Sequence, residues 1–211
     1  MKKPALIAGV VVALLVIAFL FRGPLKQMLY DGVTSDMFVS EDRDSFDPGP
    51  ALGSRFPGIN AIWQGDEVKL IEPFSGANGT VFLATRSADW CPYCMKQMIQ
   101  LQEHLDEFRA AGIGVVAITY DDPALQQQFI DKWGIAYPIL HDVNTLTFKT
   151  LGILNEEHQP GETAYGIPHP GMIVIDTDGV VVGKLFLESY SQRVDALSSL
   201  AYAREKLGLE E

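Results

Sequence analysis

Two cysteines separated by two residues, Cys91 and Cys94, stand between a strand-like segment and a helix-like one, and no other cysteine occurs in the chain. This placement constrains the fold more than any other feature. Thr80 to Thr85 reads as a buried strand. After the cysteines, Cys94, Met98, Leu101, Leu105 and Phe108 recur at intervals of four and three, marking one apolar helix face that ends near Gly112. Pro92 suits the first helical turn, where its missing N–H costs nothing, and Cys91 sits where unpaired backbone N–H groups gather. Negative charge is favoured there, so a thiol at that position loses its proton more readily than a free one at ~8.5. Cys91 is therefore expected as the exposed nucleophile, with Cys94 one turn on, facing inward, as the resolving thiol. With only these two sulfurs, the sole intramolecular disulfide available joins them. Half of a zinc site is the competing reading. It needs two more ligands, and His104, His141, His158 and His169 show no paired finger spacing. A buried, inert pair has little packing reason to flank Pro92 and Tyr93. No metal and no cofactor is required by any residue.

The rest of the chain alternates strand and helix patterns, as an α/β architecture demands. Val68 to Ile71 and Pro138 to Leu140 read as short strands, and Ile113 to Thr119 as a longer one. Pro123 to Trp133 and Asn144 to Leu151 read as helices. Met172 to Ile175 and Val180 to Leu187 flank an Asp-Thr-Asp-Gly turn, the sign of an antiparallel hairpin, and Gln192 to Leu207 reads as a closing helix. The order is a βαβ half followed by a ββα half.

Ahead of this lies a different kind of sequence. Ala5 to Phe21 carries no charge, and with Pro4 it spans roughly 26 Å as a helix, close to bilayer thickness. A cleaved export signal and a buried core helix are the alternatives, but no small-residue cleavage pattern follows the run. Residues 1–22 are thus expected as a single-pass anchor in the plasma (inner) membrane, contacting lipid through 4–21. The Met-Lys-Lys start favours a cytoplasmic N-terminus and a periplasmic soluble domain. Residues 23–52, rich in acids, Gly, Pro and Ser, read as a linker or stalk, and 53–208 as the folded domain. The 27 acidic side chains against 16 Lys and Arg give a formal charge of −11, which opposes binding to nucleic acid.

Trp90-Cys91-Pro92-Tyr93-Cys94 after a strand resembles the active site of the thioredoxin superfamily. The stretch from Gly53 to Gly208 is similar to its redoxin branch, which includes alkyl hydroperoxide reductase/thiol-specific antioxidant domains. The matching motifs are Gly53-x-x-x-Pro57, Ser-Ala-Asp-Trp-Cys-Pro-Tyr-Cys from Ser87, Tyr-Pro-Ile-Leu-His-Asp from Tyr137, and Gly-Ile-Pro-His-Pro-Gly-Met-Ile-Val-Ile-Asp-Thr-Asp-Gly from Gly166. The resemblance implies a thioredoxin fold, a central mixed β-sheet flanked by helices. It also implies a cis-proline facing the dithiol, at Pro170, with His169 beside Cys91. Trp90 is expected to cover the dithiol or to be an ordinary core Trp, and Tyr93 to affect the redox potential. Arg86 either supports a thiolate or ends its strand at the surface.

Three functions fit this resemblance. The first is a membrane-anchored thiol–disulfide oxidoreductase acting on protein or small-molecule thiols and disulfides. The second is a peroxiredoxin-like thiol peroxidase, and the third a non-catalytic, redox-responsive binding module. Peroxiredoxins share a Pro-x-x-x-Thr/Ser-x-x-Cys motif, and here Ala84 and Ala88 hold the proline and hydroxyl positions, while Pro-Gly-Met stands where that family usually has an Arg. Without those groups much of the stabilisation of a departing oxyanion is lost. Thiol–disulfide exchange needs less: a lowered pKa, access and a resolving thiol.

Overall fold

The computed structural model describes residues 30–209. Two compact units divide the chain, 1–36 and 37–211. Of the first, only a helical turn near Tyr30 is described, in which the Thr34 N–H and hydroxyl both donate to the Tyr30 carbonyl. The uncharged run 5–21 lies outside the described residues, among which no helix is long and apolar enough to cross a membrane.

The second unit is built on a seven-stranded mixed sheet with the order β3-β2-β6-β5-β4-β7-β8. Its strands are β2 (Ala61–Trp63), β3 (Asp66–Val68), β4 (Gly79–Ala84), β5 (Ile113–Thr119), β6 (Ile139–Asp142), β7 (Gly171–Ile175) and β8 (Val181–Phe186). At the centre, β4, β5 and β6 run parallel, whereas β7 pairs antiparallel with both β4 and β8. Successive side chains of a strand point to opposite faces, and the two halves of the core follow that alternation. Val81, Leu83, Val115, Ala117, Met172 and Val174 pack on one face, and Phe82, Ala84, Val116, Ile118, Ile173 and Ile175 on the other. Strands buried on both faces read as continuous apolar runs, which is why β4, β5 and β7 stand out in the sequence.

Helices α1 (Pro92–Glu103) and α2 (Leu105–Ala110) link β4 to β5, and α3 (Pro123–Trp133) links β5 to β6. The single helix expected after the cysteines breaks at His104, whose φ of −111° leaves the helical region, yet Met98, Leu101, Leu105 and Phe108 keep one buried face across the break. Asp122 caps α3 by accepting from the Ala124 N–H, and Gly134 closes it in the left-handed conformation. Helix α4 (Leu146–Leu151) follows a 3₁₀ turn, and α5 (Ala196–Lys206) ends the unit.

Two expectations change here. The segment Gln192 to Leu207 is not helical throughout: Arg193–Val194 forms β9, and α5 starts only after Asp195, whose carboxylate accepts from the Ser198 N–H. Strand β9 pairs in parallel with β1 (Phe38–Val39), so residues 37–52, expected as the distal part of a stalk, join the compact unit. They form a strap along β8, the edge strand. Asp42 accepts from the Phe186 N–H at 3.1 Å and Asp44 from the Glu188 N–H at 2.8 Å, while the exposed Asp47 carboxylate pairs with the buried Lys184 ammonium at 2.8 Å. Open sheet edges attract foreign strands, and this one is covered. Acid-rich composition suggested a solvated linker; here the acids instead serve the unpaired N–H groups of an edge.

Candidate active site

The parallel pair β4–β5 ends in two loops that hold each other. Beyond β5, Asp121 is buried and accepts from the Ser87 hydroxyl (2.8 Å), the Ala88 N–H (2.6 Å) and the Thr119 hydroxyl (2.8 Å). Ser87 in turn accepts from the N–H groups of Asp89 and Trp90. The loop entering the cysteines is therefore shaped by one carboxylate from the neighbouring strand. Burial pushes the Asp121 carboxyl above the usual range, opposed by those bonds to Ala88, Ser87 and Thr119.

Cys91 is the residue immediately ahead of α1, in extended backbone, with Pro92 in the first turn. Its sulfur accepts from the Cys94 N–H at 3.3 Å and is bonded to the Cys94 sulfur, the Cα atoms lying 5.2 Å apart. The inward face of α1 explains why Cys94 is buried. Cys91 differs from expectation: in this disulfide form both cysteines are 0% exposed. An attacking thiolate reaches Cys91 only after groups around it shift.

The loops near the cysteines carry several aromatic and proline side chains. Tyr93 meets Tyr190, in the loop between β8 and β9, edge to face at 6.0 Å. Trp90 is not a core residue: it is 40% exposed and its Nε1 donates to the Tyr120 hydroxyl at 2.8 Å. Pro170 is buried, but the cis bond expected there is absent, and no cis peptide occurs among the described residues. Trans is the ordinary X-Pro preference, and here the approach to Pro170 is already held extended. The His169 N–H donates to the Ile153 carbonyl at 2.7 Å, and Leu154 bridges Pro168. Directly after Pro170, Gly171 pairs with Ala84, which places Pro170 beside the strand that feeds the cysteines. A Cβ on Gly171 would lie 2.2 Å from the Phe186 ring, so β7 must open on glycine. The half-buried His169 ring stands edge-on to Phe46 at 4.9 Å. Burial holds its imidazole below the ordinary value; Glu157 opposes this and the Arg86 charge adds to it.

Two buried arginines complete the site, and sequence reasoning missed one of them. Arg86 does not end its strand at the surface. It is buried, its guanidinium lies 3.7 Å from the centre of the Tyr190 ring, and its Nη1 donates to the Tyr190 carbonyl at 3.1 Å. Arg193, 3% exposed, donates to the carbonyls of Tyr190 and Gln192, and its Nη2 lies 3.8 Å from the Cys94 sulfur. Burial, with the neighbouring Arg86 charge, pulls the Arg193 guanidinium down to about 9, so it still carries its charge at neutral pH. Its Nε has no protein partner, nor has the Gln97 Oε1, and both residues line a cavity of about 10 Å³ that Pro170 also borders. No carboxylate lies within ion-pair distance of either arginine among the described residues. The signal that was available is local: a β-branched residue after Arg193 and a strong cap at Asp195, which start the helix at Ala196, four residues later than the expected Gln192.

A disulfide at a helix N-terminus, behind a parallel β-strand and above buried cations, is the geometry of dithiol redox chemistry on a thioredoxin-like α/β scaffold. Comparison with known proteins agrees. Over 95 residues the chain is 30% identical to the thiol-disulfide oxidoreductase ResA of Halalkalibacterium halodurans, covering 44% of this chain and 46% of that one. Over 117 residues it is 28% identical to peroxiredoxin Bcp of Escherichia coli K12, covering 56% and 72%. The chain spans about half the length of the curated relatives it matches, for example 57% of a Mycobacterium tuberculosis relative to which it is 32% identical over 91 residues. Among solved structures, peroxidoxin BcpB of Mycobacterium tuberculosis superposes with a TM-score of 0.57 at 20% identity, over 77% of this chain and 97% of that one, a likeness of fold. The AhpC/TSA family model matches residues 52–184, a span that runs from the strap's end through both strands flanking Pro170 and holds both cysteines, and by that match the chain belongs to the AhpC/TSA family.

Proposed function

We propose that this chain is a thiol–disulfide oxidoreductase in which Cys91 exchanges with thiols or disulfides of proteins or small molecules and Cys94 resolves the mixed disulfide. The observation that carries this reading is the Cys91–Cys94 bridge at the first turn of α1. The helix N-terminus favours a thiolate at Cys91, and Cys94 lies behind it within bonding distance. Trp90, Tyr93, Pro170 and His169 shape the surroundings. The name of the relative ResA supports exchange, while the name of the relative Bcp supports a peroxidase. Between these, the apolar, buried Ala84 and Ala88 favour exchange, since neither offers a donor or a shielding ring to a peroxide.

The chain is further read as tethered by residues 1–22 to the inner membrane, on the strength of the uncharged run 5–21, with the redox domain on the periplasmic side.

Substitution tests this. Cys91→Ser is expected to reduce turnover of a disulfide substrate to background, and Cys94→Ser to accumulate a mixed disulfide visible by mass spectrometry. Equal exchange rates in Cys91→Ser and the parent would remove the proposal. Rapid stoichiometric sulfenate formation at Cys91 with hydrogen peroxide would transfer it to the peroxidase reading.

A further inference from the structure

In the disulfide state Arg193 is a charge without a counter-charge. Its acceptors are neutral carbonyls, its Nε is unpartnered, and the one reactive atom it reaches is the Cys94 sulfur at 3.8 Å. A buried cation held this way is costly unless some state of the protein supplies an anion. The bonded sulfur is neutral; the reduced one need not be. We propose that Arg193 is a catalytic residue of the dithiol couple, holding the Cys94 sulfur as a thiolate whenever the disulfide opens. This rests on the exchange reading above and adds a residue to it.

The electron balance is simple. A substrate thiolate attacks the Cys91 sulfur, a new S–S bond forms, the Cys91–Cys94 bond breaks, and its electron pair leaves on Cys94. That leaving sulfur carries the negative charge, and it does so next to the guanidinium. The second thiolate of the same substrate then attacks the substrate's own sulfur, releasing Cys91 as a thiolate and the substrate as a disulfide. Two electrons have passed from the substrate dithiol to the protein, and the substrate's thiol protons have gone to solvent. In reverse, the Cys94 thiolate attacks Cys91 in the mixed disulfide, and Arg193 keeps that nucleophile free of its proton. No acid–base side chain stands in for the cation: Thr85, six residues ahead of Cys91, is buried with its hydroxyl unpartnered.

The charged and titratable groups about Cys94 are few. Arg193 comes from β9 and Arg86 from the loop after β4. Tyr93 lies on α1 itself, Tyr190 on the β8–β9 loop and His169 ahead of β7. None of them is a carboxylate; the Glu157 charge acts on Arg86 and His169 without an ion-pair contact, whereas the charges acting on Arg193 are those of Arg86, Tyr190 and Tyr93. The two cations share the Tyr190 carbonyl, so Arg86 backs Arg193 and does not neutralise it. A purely structural Arg193 would staple the Tyr190 loop through its carbonyl bonds, and its loss would leave the titration of Cys94 where it was.

The test is the thiolate absorbance of Cys94 followed against pH in the Cys91→Ser protein, where it is the only thiol. Burial alone drives a thiol above the free value of ~8.5; with Arg193 in place Cys94 is expected to ionise below it. Adding Arg193→Gln is expected to raise the midpoint by at least one unit, a tenfold loss of thiolate preference. The same change in the two-cysteine protein is expected to make the couple more reducing by roughly 30 mV per tenfold. Arg193→Lys, which keeps a charge and loses the planar fork, is expected to recover part of both. Ionisation above ~8.5 with Arg193 intact overturns the proposal, as does an unmoved midpoint in folded Arg193→Gln protein. If the glutamine variant does not fold, an unmoved midpoint in Arg193→Lys counts the same way. Because the titration needs no turnover, a low Cys94 midpoint in a protein without exchange activity would sink the oxidoreductase reading and keep this one. Active exchange with a high midpoint would do the opposite.

Discussion

At the scale of single residues, His169 offers a measurement independent of turnover. Its imidazole is held below the ordinary value of ~6.5 by burial, so the folded protein binds this proton less readily than the unfolded chain. Its contribution is full above ~6.5 and is lost as pH falls through the lower folded value. Chemical unfolding midpoints of the parent are therefore expected to fall below about pH 6.5, and those of His169→Gln to fall less over the same range; superimposable profiles would show that the ring titrates freely. The residues that were legible in the sequence were those whose chemistry is set locally. Cys91, Pro92 and Cys94 declare themselves because a helix start needs no tertiary information. Asp121 and Arg193 did not, because their roles arise across strands. Two acids precede Pro123, and only Asp122 caps α3, which left Asp121 free to turn inward. Arg193 read as part of the first turn of the closing helix.

Among the elements, the apolar runs β4, β5 and β7 and the hairpin β7–β8 could be read from the chain, since doubly buried strands and an Asp-Gly turn leave strong patterns. Strands of two or three residues, β1, β2 and β9, carry no period to read; they exist because a neighbouring strand offers its edge. The strap that contains β1 hangs on few bonds, among them the pair of the buried Lys184 with Asp47, in which the Asp47 and Pro48 carbonyls also accept from the ammonium. Lys184→Met is expected to cost about 2 kcal/mol, the range for hydrogen bonds to a charged group. Amide hydrogen exchange should then quicken across 38–48 and at Phe186 while the β4–β5 core stays protected. Unchanged protection in the strap would mean that β1 and the Asp42 and Asp44 bonds hold it without help.

For the molecule as a whole, the disulfide encloses too short a loop to stabilise the fold by restricting the unfolded chain. Reduction gives the buried Arg193 its charge partner, so the reduced protein is expected to be the more stable. A tenfold thiolate preference corresponds to about 1.4 kcal/mol and, for a domain of this size, to a melting temperature roughly 3–6 °C higher. Calorimetry with and without reductant decides the sign, and a higher melting point for the oxidised form would contradict it. The overall α/β order of the second unit was legible from alternating patterns, and its strands and helices follow that order. The arrangement of the N-terminal approach was not, since its composition speaks of solvent and its contacts are made with strands over a hundred residues away.

The parallel pair β1–β9 has a practical consequence. The family match begins at residue 52, so an expression clone trimmed to that limit would discard Phe38 and Val39, together with the Met37 carbonyl that accepts from the Arg193 N–H at 2.7 Å. Such a fragment would keep every strand of the seven-stranded sheet and both sulfurs, yet free the ribbon that aims the guanidinium, and a midpoint potential measured on it would describe the truncation and not the intact chain.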